Sequence, residues 1–138
     1  MSKEAEIKKT EERFLVNFHY DDGSEPPRGF TANWGFYGNA DPTDEPGTEG
    51  MKVIRVEDSG WEFKIWGEPE KPEGSKAWFN VKRCRISGKL PQPVEFKDGK
   101  VDLFKHEGDF VESPSYKINF KDGNGKSFSV GGSFRFKA

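Results

Sequence analysis

From Phe14 onward the chain alternates between apolar and polar positions. Phe14, Val16, Phe18 and Tyr20 fall on one side of an extended backbone and Asn17 and His19 on the other, the period of two that marks a half-buried strand. The same alternation returns in Trp61, Phe63 and Ile65, in Phe79, Val81 and Arg83 against Trp78, Asn80 and Lys82, and in Tyr116, Ile118 and Phe120 against Lys117, Asn119 and Lys121. Strands are also predicted over 29–37, 52–57, 100–105 and 127–137. Turn chemistry separates them: Asp21-Asp22-Gly23, Asp58-Ser59-Gly60 and Asp122-Gly123-Asn124-Gly125 all supply residues that accept positive φ. Asp98-Gly99, between Val94-Glu95-Phe96 and Val101-Asp102-Leu103, predicts a two-residue hairpin. About eight short strands with frequent turns imply an all-β antiparallel sandwich of jelly-roll-like form, with a closed barrel as the alternative.

Two kinds of segment break this pattern. Residues 1–13 are charged throughout, with Glu4 and Lys8 at helical spacing and only Ala5 and Ile7 as anchors, which predicts a short helix or a frayed arm ahead of one β domain over 14–138. Residues 39–50 carry Pro42, Pro46 and the carboxylates of Asp41, Asp44, Glu45 and Glu49, with no apolar side chain beyond Ala40, and predict a long solvated loop. A second loop, 68–74, contains Pro69 and Pro72 and joins the strand of Trp66 to that of Trp78.

Composition agrees with a β fold. Phe alone supplies 13 residues and aromatics make up 14% of the 138, whereas Ala and Leu are scarce, a choice that suits pleated strands over helices and excludes whole-chain disorder. The net charge of −2 provides no basic field for phosphate backbones, so duplex DNA or RNA is not an expected partner. Cys84 is the only cysteine and reads as a buried strand residue, which leaves neither a disulfide nor a cysteine-built zinc site within the chain. No secretory leader and no apolar run long enough to span a bilayer is visible, so the expected compartment is the cytosol.

Candidate binding chemistry concentrates in 28–39, where Phe30, Trp34, Phe36 and Tyr37 lie among glycines and amides. If Phe30, Ala32, Trp34 and Phe36 share one face, Tyr37 stands beside Asn33 and Asn39 at the rim. Aromatic faces flanked by amides are what sugar recognition requires, since C–H faces stack on rings while hydroxyls need paired donors and acceptors. The same aromatics also read as core. Trp61 and Trp66 are an odd number of residues apart, so they cannot both face inward without a bulge. Trp61 shares its phase with Phe63 and Ile65, which leaves Trp66 as the surface residue. The candidate ligand-binding set is therefore Asn33, Trp34, Tyr37, Asn39 and Trp66.

Lys82, Arg83, Arg85 and Lys89 form a basic run opposite in sign to the 39–50 loop. Such charges commonly protect an edge strand, and Arg83 with Arg85, which point the same way, also suits contact with a phosphate or an acidic partner. Neither the 39–50 carboxylates nor Asp122-Gly123-Asn124-Gly125 matches a calcium loop, and two histidines do not make a metal centre, so no metal is expected. No nucleophile elbow, phosphate-binding loop or dinucleotide fingerprint occurs, so no cofactor is expected and an enzyme is disfavoured. The leading expectation is a non-enzymatic module for a carbohydrate-like polar ligand. A protein-interaction or self-assembly module using the acidic loop and a sheet edge comes second, and a membrane-lipid-binding β protein third.

Overall fold

A computed structural model describes residues 12–69 and 77–137. The described residues form antiparallel strands and no helix: β1 (Arg13–Tyr20), β2 (Phe30–Ala32), β3 (Phe36–Asn39), β4 (Lys52–Asp58), β5 (Trp61–Pro69), β6 (Ala77–Ser87), β7 (Glu95–Glu107), β8 (Phe110–Lys121) and β9 (Ser127–Lys137). The predicted N-terminal helix or arm lies almost wholly outside the described residues, as does most of the 68–74 loop; Arg13 already belongs to β1.

All nine strands join one sheet in the order β2-β1-β9-β8-β7-β6-β5-β4-β3. From β3 to β9 the chain is an up-and-down meander; β9 then pairs with β1, and β1 with β2. The two edges are thus consecutive in sequence, separated only by Asn33, Trp34 and Gly35. Four residue steps from Ala32 to Phe36 reach at most about 14 Å. The sheet must therefore curl until its edges approach, and it forms a half-barrel in place of the expected sandwich. Concave-face side chains meet across the interior: the Phe14 ring on β1 lies 6.3 Å from Phe63 on β5, and Phe18 lies 4.7 Å from Trp61.

The alternation read from β1 holds, with Phe14, Val16, Phe18 and Tyr20 all buried. Ser59-Gly60 joins β4 to β5 as a two-residue turn with φ of 50° and 85°. Asp98-Gly99 is not a turn. β7 runs straight through it, with Lys97 as an extra residue between the Phe96–Phe120 and Asp98–Asn119 pairs, and Asn119 Nδ2 donates to Asp98 Oδ1 at 2.5 Å. The chain reverses instead at Gly108-Asp109, where Gly108 has a φ of 60° and Glu107 stands opposite Phe110.

A second bulge governs β6. Trp66 pairs with Arg83 but Gly67 pairs with Val81, so Lys82 is the extra residue. Phe79 before it and Cys84 and Ile86 after it consequently all face the core, although their spacing alone forbids this. Gly67 is required here, because a Cβ would strike the Asn80 carbonyl oxygen. Cys84 is buried as expected, and desolvation pushes its thiol pKa up, away from reactivity.

Candidate functional site

The five residues singled out from the sequence do not form one surface. Asn33 and Trp34 are exposed in the link between β2 and β3, with Trp34 37% accessible. Tyr37 is buried rather than at the rim: its ring packs 5.4 Å from Phe104, 5.2 Å from His106 and 6.4 Å from Phe79. Burial raises its phenol to about 12. The physical reason is the break at 33–35, which resets the phase, so that Ala32 and Tyr37 both turn inward while Phe36 turns out under the Arg55 guanidinium at 4.7 Å.

Asn39 and Trp66 do come together. They line a pocket of about 350 Å³ on the convex face with Phe36, Asp44, Arg55 and Lys64. Trp66 points away from the core, as its phase predicts, yet it is only 1% exposed. The 39–50 loop covers it. Lys64 Nζ donates to Asp44 at 2.8 Å, Arg85 reaches Asp44 at 3.2 Å and Glu45 at 2.9 Å, and Arg83 reaches Glu45 at 3.0 Å. Thr48 is fully buried and donates to the Glu45 carbonyl at 2.7 Å, Asp41 closes a turn on the Thr43 amide at 2.9 Å, and the Arg85 guanidinium lies 5.2 Å from the Trp66 ring.

The loop is therefore pinned to the sheet through Asp44, Glu45 and Thr48 while most of its residues, Asp41, Pro46 and Glu49 among them, stay exposed, and Lys82, Arg83 and Arg85 lie on the interior strand β6 rather than at an edge, with Lys89 just beyond it. The acidic partner that Arg83 and Arg85 suit is the chain's own loop. Asp44 is held below its usual range first by the Lys64 hydrogen bond and then by Arg85. A depressed carboxylate contributes stability above 3.8 that disappears as pH falls through its folded value, so acid should release the loop and uncover Trp66.

The pair is unequal, with the Lys64 side chain 9% exposed and Asp44 40%. Truncating Asp44 leaves a desolvated cation with only the more distant Glu62, 3.8 Å away, whereas replacing the lysine removes the charge altogether. Asp44→Ala is expected to destabilise by about 1–2 kcal/mol, a value reduced by solvent screening, and Lys64→Met by less than half of that. Urea titrations of the two variants check the order.

Unmatched polar groups gather elsewhere, at the end of the curl where β1 finishes. After Tyr20 the chain turns through Asp21-Asp22-Gly23, with Asp22 accepting from the Ser24 amide at 2.9 Å. Pro26 and Pro27 follow, and because proline cannot donate to a ladder the segment joins the sheet only at Phe30. Between this segment and the Ser59-Gly60 turn lies a cleft of about 660 Å³. Its floor is Tyr20, Phe30 and Trp61, with Trp61 stacked 6.2 Å from Phe30 and Tyr20 tied down by a 2.8 Å bond from its hydroxyl to Asp122. Gly88 lies flat against the Trp61 ring, where a Cβ would overlap it.

Glu25, Arg28, Ser59 and Lys89 line the same cleft and are exposed. None of the first, second and last takes part in an ion pair among the described residues. The sequence alone does not disclose this site, because Trp61 reads as core, Lys89 groups with the basic run of Lys82, Arg83 and Arg85, and Arg28 groups with the aromatic segment that follows it. The available signal was Pro26-Pro27, which prevents strand pairing directly after a strand.

Among the described residues no three His, Cys, Asp or Glu side chains are grouped to hold a metal ion, and no helix is long and apolar enough to cross a membrane. The chain matches no family model, no curated protein and no solved structure.

Proposed function

We propose that the protein is a non-enzymatic binding module that takes a carbohydrate-like polar ligand in the cleft between the 25–30 segment and the β4–β5 turn. The observation that carries this reading is the pairing of a fixed aromatic floor with a rim whose charged groups make no ion pair among the described residues. A cleft of about 660 Å³ is within the range of small-molecule sites. A sugar presents C–H groups to Phe30 and to the accessible edge of Trp61, and presents hydroxyls to a carboxylate acceptor at Glu25 and to donors at Arg28 and Lys89. Ser59, whose hydroxyl donates to Asp58 at 2.9 Å, offers a further acceptor.

The acidic-loop interaction reading loses its main support, since Asp44 and Glu45 are already paired on the sheet. A glycan array, followed by titration of any hit against Glu25→Gln and Lys89→Ala, tests the proposal. Both residues are exposed, so the variants should keep wild-type stability within about 0.5 kcal/mol. The expected result is selective binding, weakened about tenfold or more in each variant, with a change in tryptophan emission on saturation. Binding lost in Trp34→Ala but retained in Lys89→Ala would move the ligand to the β2–β3 link. A blank array would overturn the carbohydrate reading.

A further inference from the structure

We infer that a second site, on the convex face across β1, β9, β8 and β7, binds a small oxyanion such as phosphate or sulfate. Strand register builds it. Arg13 on β1 stands directly opposite Arg135 on β9, Arg135 opposite Glu112 on β8, and Glu112 opposite Lys105 on β7. Like charges directly across a ladder repel. The row thus carries three cations and one carboxylate, and Glu107, 2.6 Å from Lys105, sits beside its end.

The pairing also breaks at this point. The β8–β9 register shifts between Ser113 and Tyr116, and Leu103 on β7 adopts a φ of 47°, which opens a dent of about 160 Å³ in the face. Arg13, Lys105, Glu112 and Arg135 all line it, together with Ser113. That is room for about five waters, or for one oxyanion with part of its hydration shell.

Arg135 makes the strongest case for an occupant. Its guanidinium lies 4.2 Å over the Phe110 ring and gives one nitrogen to Glu112 at 3.3 Å. Its Nε is buried without a partner among the described residues. Two guanidinium groups that face each other across the ladder and line one dent are the geometry that takes up an oxyanion by charge-assisted bonds. An anion seated there relieves the Arg13–Arg135 repulsion and accepts from the two guanidinium groups that line the dent.

The test is thermal unfolding and calorimetric titration of the full chain with inorganic phosphate, ionic strength being held constant with chloride. The expected result is a saturable rise in Tm, with affinity reduced about tenfold in Arg13→Gln and in Arg135→Gln and unchanged in Lys117→Gln, an exposed lysine elsewhere on β8. Arg135→Lys, which keeps the charge but loses the fork, should bind more weakly than wild type and guards against a folding defect in the glutamine variant. Glycerol phosphate is the second arm: tighter binding than the free ion identifies a phosphate ester as the preferred occupant, and weaker binding identifies the free anion. A Tm that does not rise, or that rises equally in wild type and Arg13→Gln, overturns the site.

Discussion

Replacing Phe14 by alanine is expected to destabilise the protein by about 3–5 kcal/mol, read as a lower urea midpoint with an unchanged slope. Phe14 is fully buried on the concave face. Its ring stacks 5.0 Å from Phe134 and 5.9 Å from Phe136, meets Tyr116 edge-on at 5.9 Å, and crosses the interior to Phe63 at 6.3 Å. These neighbours sit on β5, β8 and β9, each fixed by its own ladder, so the walls cannot close on the vacated volume. Phe36→Ala is the control: Phe36 is 37% exposed, and removing it forfeits little beyond the Arg55 contact, under about 1 kcal/mol. Equal losses in the two variants would contradict an interior shared between β1 and β5. Gly67→Val, at the β5–β6 bulge, should also destabilise, since any side chain there meets the Asn80 carbonyl.

What the sequence discloses follows from which forces act locally. Alternation is local, so the inward faces of β1, of β5 up to Ile65 and of β8 from Tyr116 are readable directly. Bulges are not local, because the extra residues Lys97 and Lys82 are defined by the partner strand, and both shifted the inferred phase or turn. Asp98-Gly99 has hairpin chemistry but is held extended by β8, while Gly108-Asp109, chemically just as capable, makes the turn.

Sheet closure is likewise a global property. The number of strands and their turns fits a sandwich or a barrel equally well, and only the three-residue link between the two edges decides for one curled sheet. At the surface, Trp66 was placed on the correct face, yet its burial depends on a loop that ion-pairs with residues some 40 positions away, as the bond from Arg85 to Glu45 shows. Opposite charge on two segments was visible in the sequence; that they satisfy each other was not.

The remaining large effect concerns the Tyr20–Asp122 pair, which joins the end of β1 to the β8–β9 turn beneath the cleft. Asp122 is buried and accepts the Tyr20 hydroxyl at 2.8 Å, the Asn124 amide at 2.9 Å and the Lys126 amide at 3.0 Å. Asp122→Ala removes both acceptor oxygens and with them all three hydrogen bonds, and should cost about 2–3 kcal/mol. Tyr20→Phe keeps the ring packed 5.5 Å from Phe128 and should cost about 1–2 kcal/mol. Burial pushes the Asp122 carboxyl up, but the Lys126 amide, the Tyr20 hydroxyl and the Asn124 amide outweigh it and hold the group below 3.8. The charged form is favoured in the folded chain, so this contribution is complete above 3.8 and is lost as pH falls through the lower folded value. Tyr20 behaves in the opposite sense: burial first, then Asp122, raises it from 10.0 to about 12. The neutral phenol is favoured on folding, so its contribution is present below 10.0 and disappears as pH climbs toward about 12. Burial also raises Tyr37 and Tyr116, so the informative quantity is the difference between wild type and Tyr20→Phe. Urea midpoints of both proteins through the acid and alkaline windows should converge at each extreme. Parallel curves would mean that the hydroxyl and carboxylate are not coupled in the folded chain.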